Sequence, residues 1–229
     1  REQRAPAFGK GCFGRRDEVK VVMETADRME RSDKNLGGGD SMSAGGIQAV
    51  FVSGIAGSGK SHLARAVAET LRGCGWIVAE AKFERGKSYA SGGLVSSMFD
   101  GVVAHLVRIK EGGKPADVEY CRRVSKSIRG SIGRESLSWL VGFLPSLSSL
   151  LDAVTGEGQD GDIPLGYRLV HCLSVILKAV LERGRFIMIV ADDLQWADET
   201  LILIREVLLN IADFEHVGRR CLFVGMFRP

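Results

Sequence analysis

The run Gly54-Ile55-Ala56-Gly57-Ser58-Gly59-Lys60-Ser61 has the residue types and spacing of a loop that grips phosphate, G-x-x-x-x-G-K-[ST], matched at every fixed position. Glycines let successive backbone N–H groups turn inward and form a concave nest for an anion. A helix starting at the loop's end aims the positive end of its dipole at the same point. The candidate phosphate ligands are therefore Gly54, Ala56, Gly57, Ser58, Gly59, Lys60, Ser61 and His62. The Lys60 ammonium can reach the β- and γ-phosphates of a nucleoside triphosphate, and the Ser61 hydroxyl can coordinate a magnesium ion bridging them. Both flanks that the motif requires are present: an apolar strand-like run at 49–52 and a helical pattern over 62–71. A chance glycine-rich surface loop, in a chain with 29 glycines, needs neither flank.

A second constellation lies far downstream. The continuous apolar run Phe186-Ile187-Met188-Ile189-Val190-Ala191 reads as a central parallel strand, and it delivers Asp192-Asp193. In parallel sheets ligands gather at the carboxyl ends of strands, which would bring Asp192 near Ser61. One carboxylate there can hold magnesium, so Ser61 and Asp192 are the candidate metal ligands. The neighbouring acid, Asp193, can orient or deprotonate an attacking water. Without the upstream loop, two acids capping a strand and opening a turn would be an equally good reading. Arg228 follows the last strand-like run and could approach a γ-phosphate; an exposed terminal arginine is the bland alternative. Gln195 could position water, but packing the turn is the favoured reading, as it is for Trp196.

The elements that must position these groups alternate along the chain. Residues 17–29 place Val19, Val22, Met23, Ala26 and Met29 at helical spacing, and 31–46 read as a polar loop around Gly37-Gly38-Gly39. After the loop-and-helix unit comes a strand at 76–83. A mostly helical middle follows over 86–182, with one stripe on Leu94, Met98, Val102, Val103 and Leu106. A second stripe on Leu137, Leu140, Leu144, Leu147 and Leu151 is interrupted by Pro145. The cleanest runs from Leu165 through Val180 and stops at Gly184, after a glycine- and acid-rich loop at 155–162. Asp198 looks like the cap of a helix over 199–211, and 221–226 read as a further strand. Strands alternating with helices imply a mostly parallel sheet covered on both faces.

Composition excludes more than it assigns. With 45% hydrophobic and 26% charged residues, the 229-residue chain has ordinary globular composition. A net charge of +3, with basic and acidic residues interleaved, gives no footprint for nucleic acid. Cys12, Cys74, Cys121, Cys172 and Cys221 are odd in number and scattered, as expected of reduced thiols in an intracellular, cytoplasmic setting. The four histidines share no metal-ligand spacing with them, so zinc is not expected. No apolar stretch approaches the ~18 residues of a membrane span. The chain lacks an initial methionine and ends just after a strand-like run, so it reads as a piece of something longer.

Four segments together resemble the signalling branch of the AAA+ ATPases, the signal-transduction ATPases with numerous domains, close to the origin-recognition-type module. They are Phe13-Gly14-Arg15-Arg16-Asp17-Glu18; the segment from Phe51 to Ser61; Val190-Ala191-Asp192-Asp193-Leu194-Gln195-Trp196-Ala197-Asp198; and Val224-Gly225-Met226-Phe227-Arg228. Lys82-Phe83-Glu84 and Ile163-Pro164-Leu165 resemble the family's second strand and the helix before its acidic motif. The resemblance implies that Gly14 and Arg15 lie near the adenine, that Lys60 and Ser61 bind phosphate and magnesium, and that Asp192 is the metal-binding acid. It further implies that Asp193 stands at the catalytic position, that Arg228 lies in the region of the first sensor, and that the nucleotide is ATP. Nucleotide state in this family toggles an assembly switch between attached domains. The chain departs from the pattern in stopping before the lid, in showing no assignable arginine finger, in a longer loop at 31–46, and in carrying aspartate at 193 where other members use glutamate.

The expected architecture is α/β: a three-layer P-loop NTPase fold with a mostly parallel sheet, helices on both faces, a helical middle segment and no C-terminal lid. Residues 1–46 would form an N-terminal segment and 47–229 the core. The expected activity is slow, magnesium-dependent ATP hydrolysis with Lys60, Asp193 and Arg228 as catalytic groups, serving a switch that associates with itself or with other domains of the same protein. A non-hydrolysing ATP-gated scaffold, an origin-recognition-like DNA-associated ATPase and a phosphotransferase are the rivals.

Overall fold

The computed structural model describes residues 15–34, 46–85, 93–152, 165–197, 199–213 and 215–229. Four parallel strands form the sheet: β1 (Gln48–Ser53), β2 (Ile77–Lys82), β3 (Ile187–Asp192) and β4 (Cys221–Phe227), in spatial order β1-β4-β3-β2. The two central strands are the most apolar; all six residues of β3 are buried. That is the signature of a parallel sheet covered on both faces.

Strand periodicity of two sends alternate residues into two cores. Met188, Val190, Leu222, Val224 and Met226 meet α1 (Arg16–Lys34) and α2 (Lys60–Gly73) on one face. Ile187, Ile189, Ala191, Cys221 and Phe223 meet the helical middle and α8 (Glu199–Ala212) on the other. The expected three-layer α/β architecture is thus present.

The helical middle comprises α3 (Gly93–Glu111), α4 (Pro115–Ser131), α5 (Arg134–Phe143), α6 (Ser146–Leu150) and α7 (Leu165–Leu181), and a short α9 (Glu215–Gly218) precedes β4. Pro145 divides the second leucine stripe between α5 and α6, as a ring without an N–H must. The Asp100 carboxylate of α3 caps the restart, accepting from the Ser146 N–H at 2.8 Å and the Ser146 hydroxyl at 2.9 Å.

One boundary differs from expectation. Helix α1 continues past Met29 to Lys34, where a loop from 31 was expected. Acids in its first turn and Arg31 and Lys34 in its last complement the helix dipole. The Asp33 carboxylate is held by Arg220 at 2.7 Å, and Glu30 accepts from the Trp76 indole at 2.8 Å. These long-range bonds stabilise a last turn whose own residues are polar. The triple glycine at 37–39 lies outside the described residues, as do Gly14, Cys12, Asp198, Ile163-Pro164 and the loop at 155–162.

The strand order has one consequence for chemistry. β1 and β3 do not touch; β4 lies between them, with Ser53 level with Phe227 and Ala191 level with Gly225. The carboxyl ends of β1, β4 and β3 therefore open side by side, which is where open α/β sheets bind ligands.

Candidate functional site

The phosphate loop spans the gap between Ser53 at the end of β1 and Lys60 at the start of α2. Gly57 (φ 75°) and Gly59 (φ 83°) occupy the left-handed region, which glycine enters without steric cost. Gly54 is required for a different reason. A Cβ there would lie 2.8 Å from the Ser58 hydroxyl and 3.1 Å from the Arg15 guanidinium. The first turn of α2 contains no acid, so its positive end is left uncompensated and open to an anion.

Lys60 is only 6% exposed. Its ammonium donates to the carbonyls of Gly54 at 2.6 Å and Ile55 at 3.0 Å, so the loop curls around its own lysine. Carbonyls satisfy the donors but leave the charge unneutralised, a favourable setting for phosphate. Ser58 carries a buried hydroxyl with no hydrogen-bond partner. Ala56 and His62 are exposed at the loop and in the first turn of α2.

Arg15 lies against the loop itself. Its Nε donates to the Ser58 carbonyl at 2.6 Å, and its Nη1 pairs with Glu18 at 3.2 Å. The segment expected beside the adenine is thus represented among the described residues by an arginine that braces the phosphate loop.

The two motifs meet. The Ser61 hydroxyl donates to Asp192 Oδ2 at 2.6 Å across a sequence separation of 131 residues. Asp192 is 8% exposed, and its other oxygen accepts the Asp193 N–H at 2.9 Å. No basic side chain pairs with it among the described residues. A buried carboxylate without a cation is costly. A hydroxyl and a carboxylate in contact are hard oxygen donors of the kind magnesium takes, with the rest of its shell left to water and phosphate. The site therefore fits that ion. The described residues hold no cluster of three or more His, Cys, Asp or Glu that would suggest another metal.

Asp193 adopts φ 57° and ψ 44°, a left-handed conformation unusual for a residue with a side chain. It opens a 3-10 turn over Leu194–Trp196 whose return bond runs from the Trp196 N–H to the Asp193 carbonyl at 2.9 Å. Asp193 Oδ1 accepts from the Gln195 amide at 2.8 Å and faces Arg228 Nη2 at 3.4 Å. The Arg228 N–H donates to Gln195 Oε1 at 3.0 Å. Lys60, Ser61, Asp192, Asp193 and Arg228 thus surround the same strand ends.

The sequence favours a structural part for Gln195, and both ends of its amide are bonded within this cluster. Gly225 went unremarked, although a Cβ on it would meet Leu194 Cδ1 at 2.7 Å and Phe51 Cδ1 at 2.8 Å. A glycine inside an apolar strand was the available signal.

The described cysteines are all free thiols. No described helix is long and apolar enough to cross a membrane. A family model, AAA ATPase domain, matches residues 39–218. No curated protein matches the chain. With the phosphate loop and the acidic strand end brought together on an all-parallel sheet, the match establishes that this chain belongs to the AAA ATPase domain family of nucleotide-binding P-loop ATPases.

Proposed function

We propose that the chain is an ATP-binding, magnesium-dependent ATPase module that works as a nucleotide-controlled switch within a larger signalling protein, of the signal-transduction subtype. The observation that carries this reading is the 2.6 Å bond between Ser61 and Asp192. It joins the phosphate loop to the acidic strand end, where a triphosphate and its metal would sit.

Each residue's part follows from its setting. The Lys60 ammonium exchanges the Gly54 and Ile55 carbonyls for phosphate oxygens, which hold a cation more strongly. The amides of Gly54, Ala56, Gly57, Gly59, Lys60, Ser61 and His62 would form the anion nest, and that of Ser58 would join it by leaving the Ile55 carbonyl, 3.3 Å away. Ser61 and Asp192 would hold magnesium, which would supply charge neutralisation to the triphosphate. Asp193 orients the water for in-line attack, and Arg228 approaches the γ-phosphate from the end of β4. Arg15 supports the loop at Ser58, and by the family resemblance Gly14 and Arg15 would serve the adenine side of the site. Residues 47–229 serve as the core and 1–46 as an N-terminal segment. Ile55 at 73% and Phe51 at 62% exposure put apolar surface beside the phosphate loop, which favours a neighbouring domain or second copy covering it.

The test is steady-state ATP turnover. Asp193→Asn is expected to lower kcat by about 100-fold, with ATP affinity changed by less than about three-fold. Unchanged turnover would remove Asp193 from the chemistry. A second reading, a scaffold that closes on ATP without hydrolysing it, is favoured by the engagement of Asp193 Oδ1 with Gln195 and Arg228. Tight ATP binding without phosphate release from the intact protein would select it.

A further inference from the structure

We infer that Gln195 is a positioning residue that sets the carboxylate of Asp193 and ties it to the end of β4. The inference rests on the role given above to Asp193 in orienting water.

The orientation of the amide is dictated by its partners. A carboxylate oxygen can only accept, and a backbone N–H can only donate. The nitrogen of Gln195 must therefore face Asp193 Oδ1, at 2.8 Å, and its oxygen must face the Arg228 N–H, at 3.0 Å. One side chain spans from the end of β3 to the end of β4. With an end committed to each, it acts as a brace between the two strand ends.

The backbone beneath is already fixed. Asp193 is held in its left-handed conformation by its N–H on Asp192 Oδ1 and its carbonyl under the Trp196 N–H. Leu194 sits where a Cβ on Gly225 would have to be, and the Arg85 guanidinium lies 5.3 Å from the Trp196 ring. What remains free in Asp193 is side-chain rotation. Gln195 and Arg228 both take Oδ1, and no described residue bonds Oδ2. The brace thus leaves Oδ2, on a side chain only 14% exposed, as the oxygen that can accept from a water.

The two partners of Oδ1 are not equivalent. Arg228 is at the longer distance, 3.4 Å, and its side chain is 43% exposed. It can swing to a phosphate and release Asp193. Gln195 is anchored on the main chain of residue 228, so its hold survives that movement.

Gln195→Met removes both amide ends at similar length. Gln195→Glu keeps the acceptor for the Arg228 N–H but sets a carboxylate against Asp193. Turnover is expected to fall about ten-fold in the first and about 100-fold in the second. KM for ATP and the Kd for ADP should stay within about two-fold, while affinity for ADP with aluminium fluoride falls about ten-fold. In an Asp193→Asn background, Gln195→Met should have no further effect. Full turnover in Gln195→Met, a loss that multiplies with that of Asp193→Asn, or a loss confined to KM and ADP affinity would overturn the inference. If Gln195→Met fails to fold, Gln195→Glu decides by the same comparison. An inactive Asp193→Asn beside a fully active Gln195→Met sinks Gln195 alone. Full activity in Asp193→Asn, or no turnover in the unmodified protein, removes the role of Asp193 and this inference with it.

Discussion

The phosphate loop and the acidic strand end meet at one bond but are held by opposite means. The loop is stabilised by its own carbonyls, wrapped on Lys60, and by one arginine at Ser58. Those are partners that a better acceptor can displace. The acidic end is tied by side chains: Ser61 of α2 on Asp192, Gln195 on Asp193 within one turn, and the Arg228 backbone, just past β4, on Gln195. Between them the molecule separates two tasks. One tip can change its bonds when an anion arrives, and the other keeps Asp193 braced through Gln195. Binding defects and chemical defects should therefore be separable by mutation.

The largest expected effect is on the exchangeable tip. Lys60→Ala should weaken ATP binding at least about 100-fold by calorimetry, because a nearly buried ammonium aimed at phosphate is lost. The melting temperature should change little, since the bonds removed go only to loop carbonyls. Tight ATP binding in this variant would break the comparison at its stronger side. Gly225→Ala strikes the tied tip, because its Cβ would displace Leu194 or Phe51. It should cost about 2 kcal/mol, a drop of roughly 4–8 °C in melting temperature, and lower kcat more than it raises KM. Equal losses in both parameters would mean that the two tips are not separable.

A subtler change separates support from contact. Arg15→Ala releases the Ser58 carbonyl and the Gly54 side of the loop. ATP affinity should fall about five-fold with kcat retained, measured by titration and steady-state kinetics. A loss of kcat instead would place Arg15 with the acids.

The smallest effect is a control remote from both tips. His105 on α3 has its pKa lowered by burial, then by the charges of Arg108, Arg185 and Arg72, with Asp117 opposing. The unfolded chain therefore binds the proton more readily. The contribution of His105 to stability is complete above about pH 6.5 and is lost as pH falls through the lower folded value. His105→Gln should flatten the fall in melting temperature over that acidic window and leave ATP binding at pH 7.5 unchanged. An unaltered pH profile would refute this assignment.

Local chemistry made much of this legible. The phosphate loop, the apolar run of β3 and the α7 stripe are dictated by residues adjacent in sequence, where spacing alone fixes period and exposure. The meeting of Ser61 and Asp192 follows from the strand-end rule, but other partners distant along the chain are not carried by local pattern. The end of α1 depends on Arg220 reaching Asp33, and the polar turn at 31–34 hides that. The part played by Gln195 depends on β4 running beside β3, so that the Arg228 N–H meets it. The demand for glycine at 225 arises only when Leu194 and Phe51 close over it. Each of these partnerships joins segments brought together only by the fold, and strand order is a quantity that local pattern leaves open.

The insertion of β4 between β1 and β3 bears on how the molecule matures. Every element from α1 to α9 precedes Cys221–Phe227, the wedge that makes one sheet of two pieces. Such long-range closure is slow, and the residues that will grip the nucleotide stay apart until it happens. A nascent chain halted before Cys221 would carry both sequence motifs and still be unable to retain ATP. Nucleotide retention would thereby report that this sheet has closed.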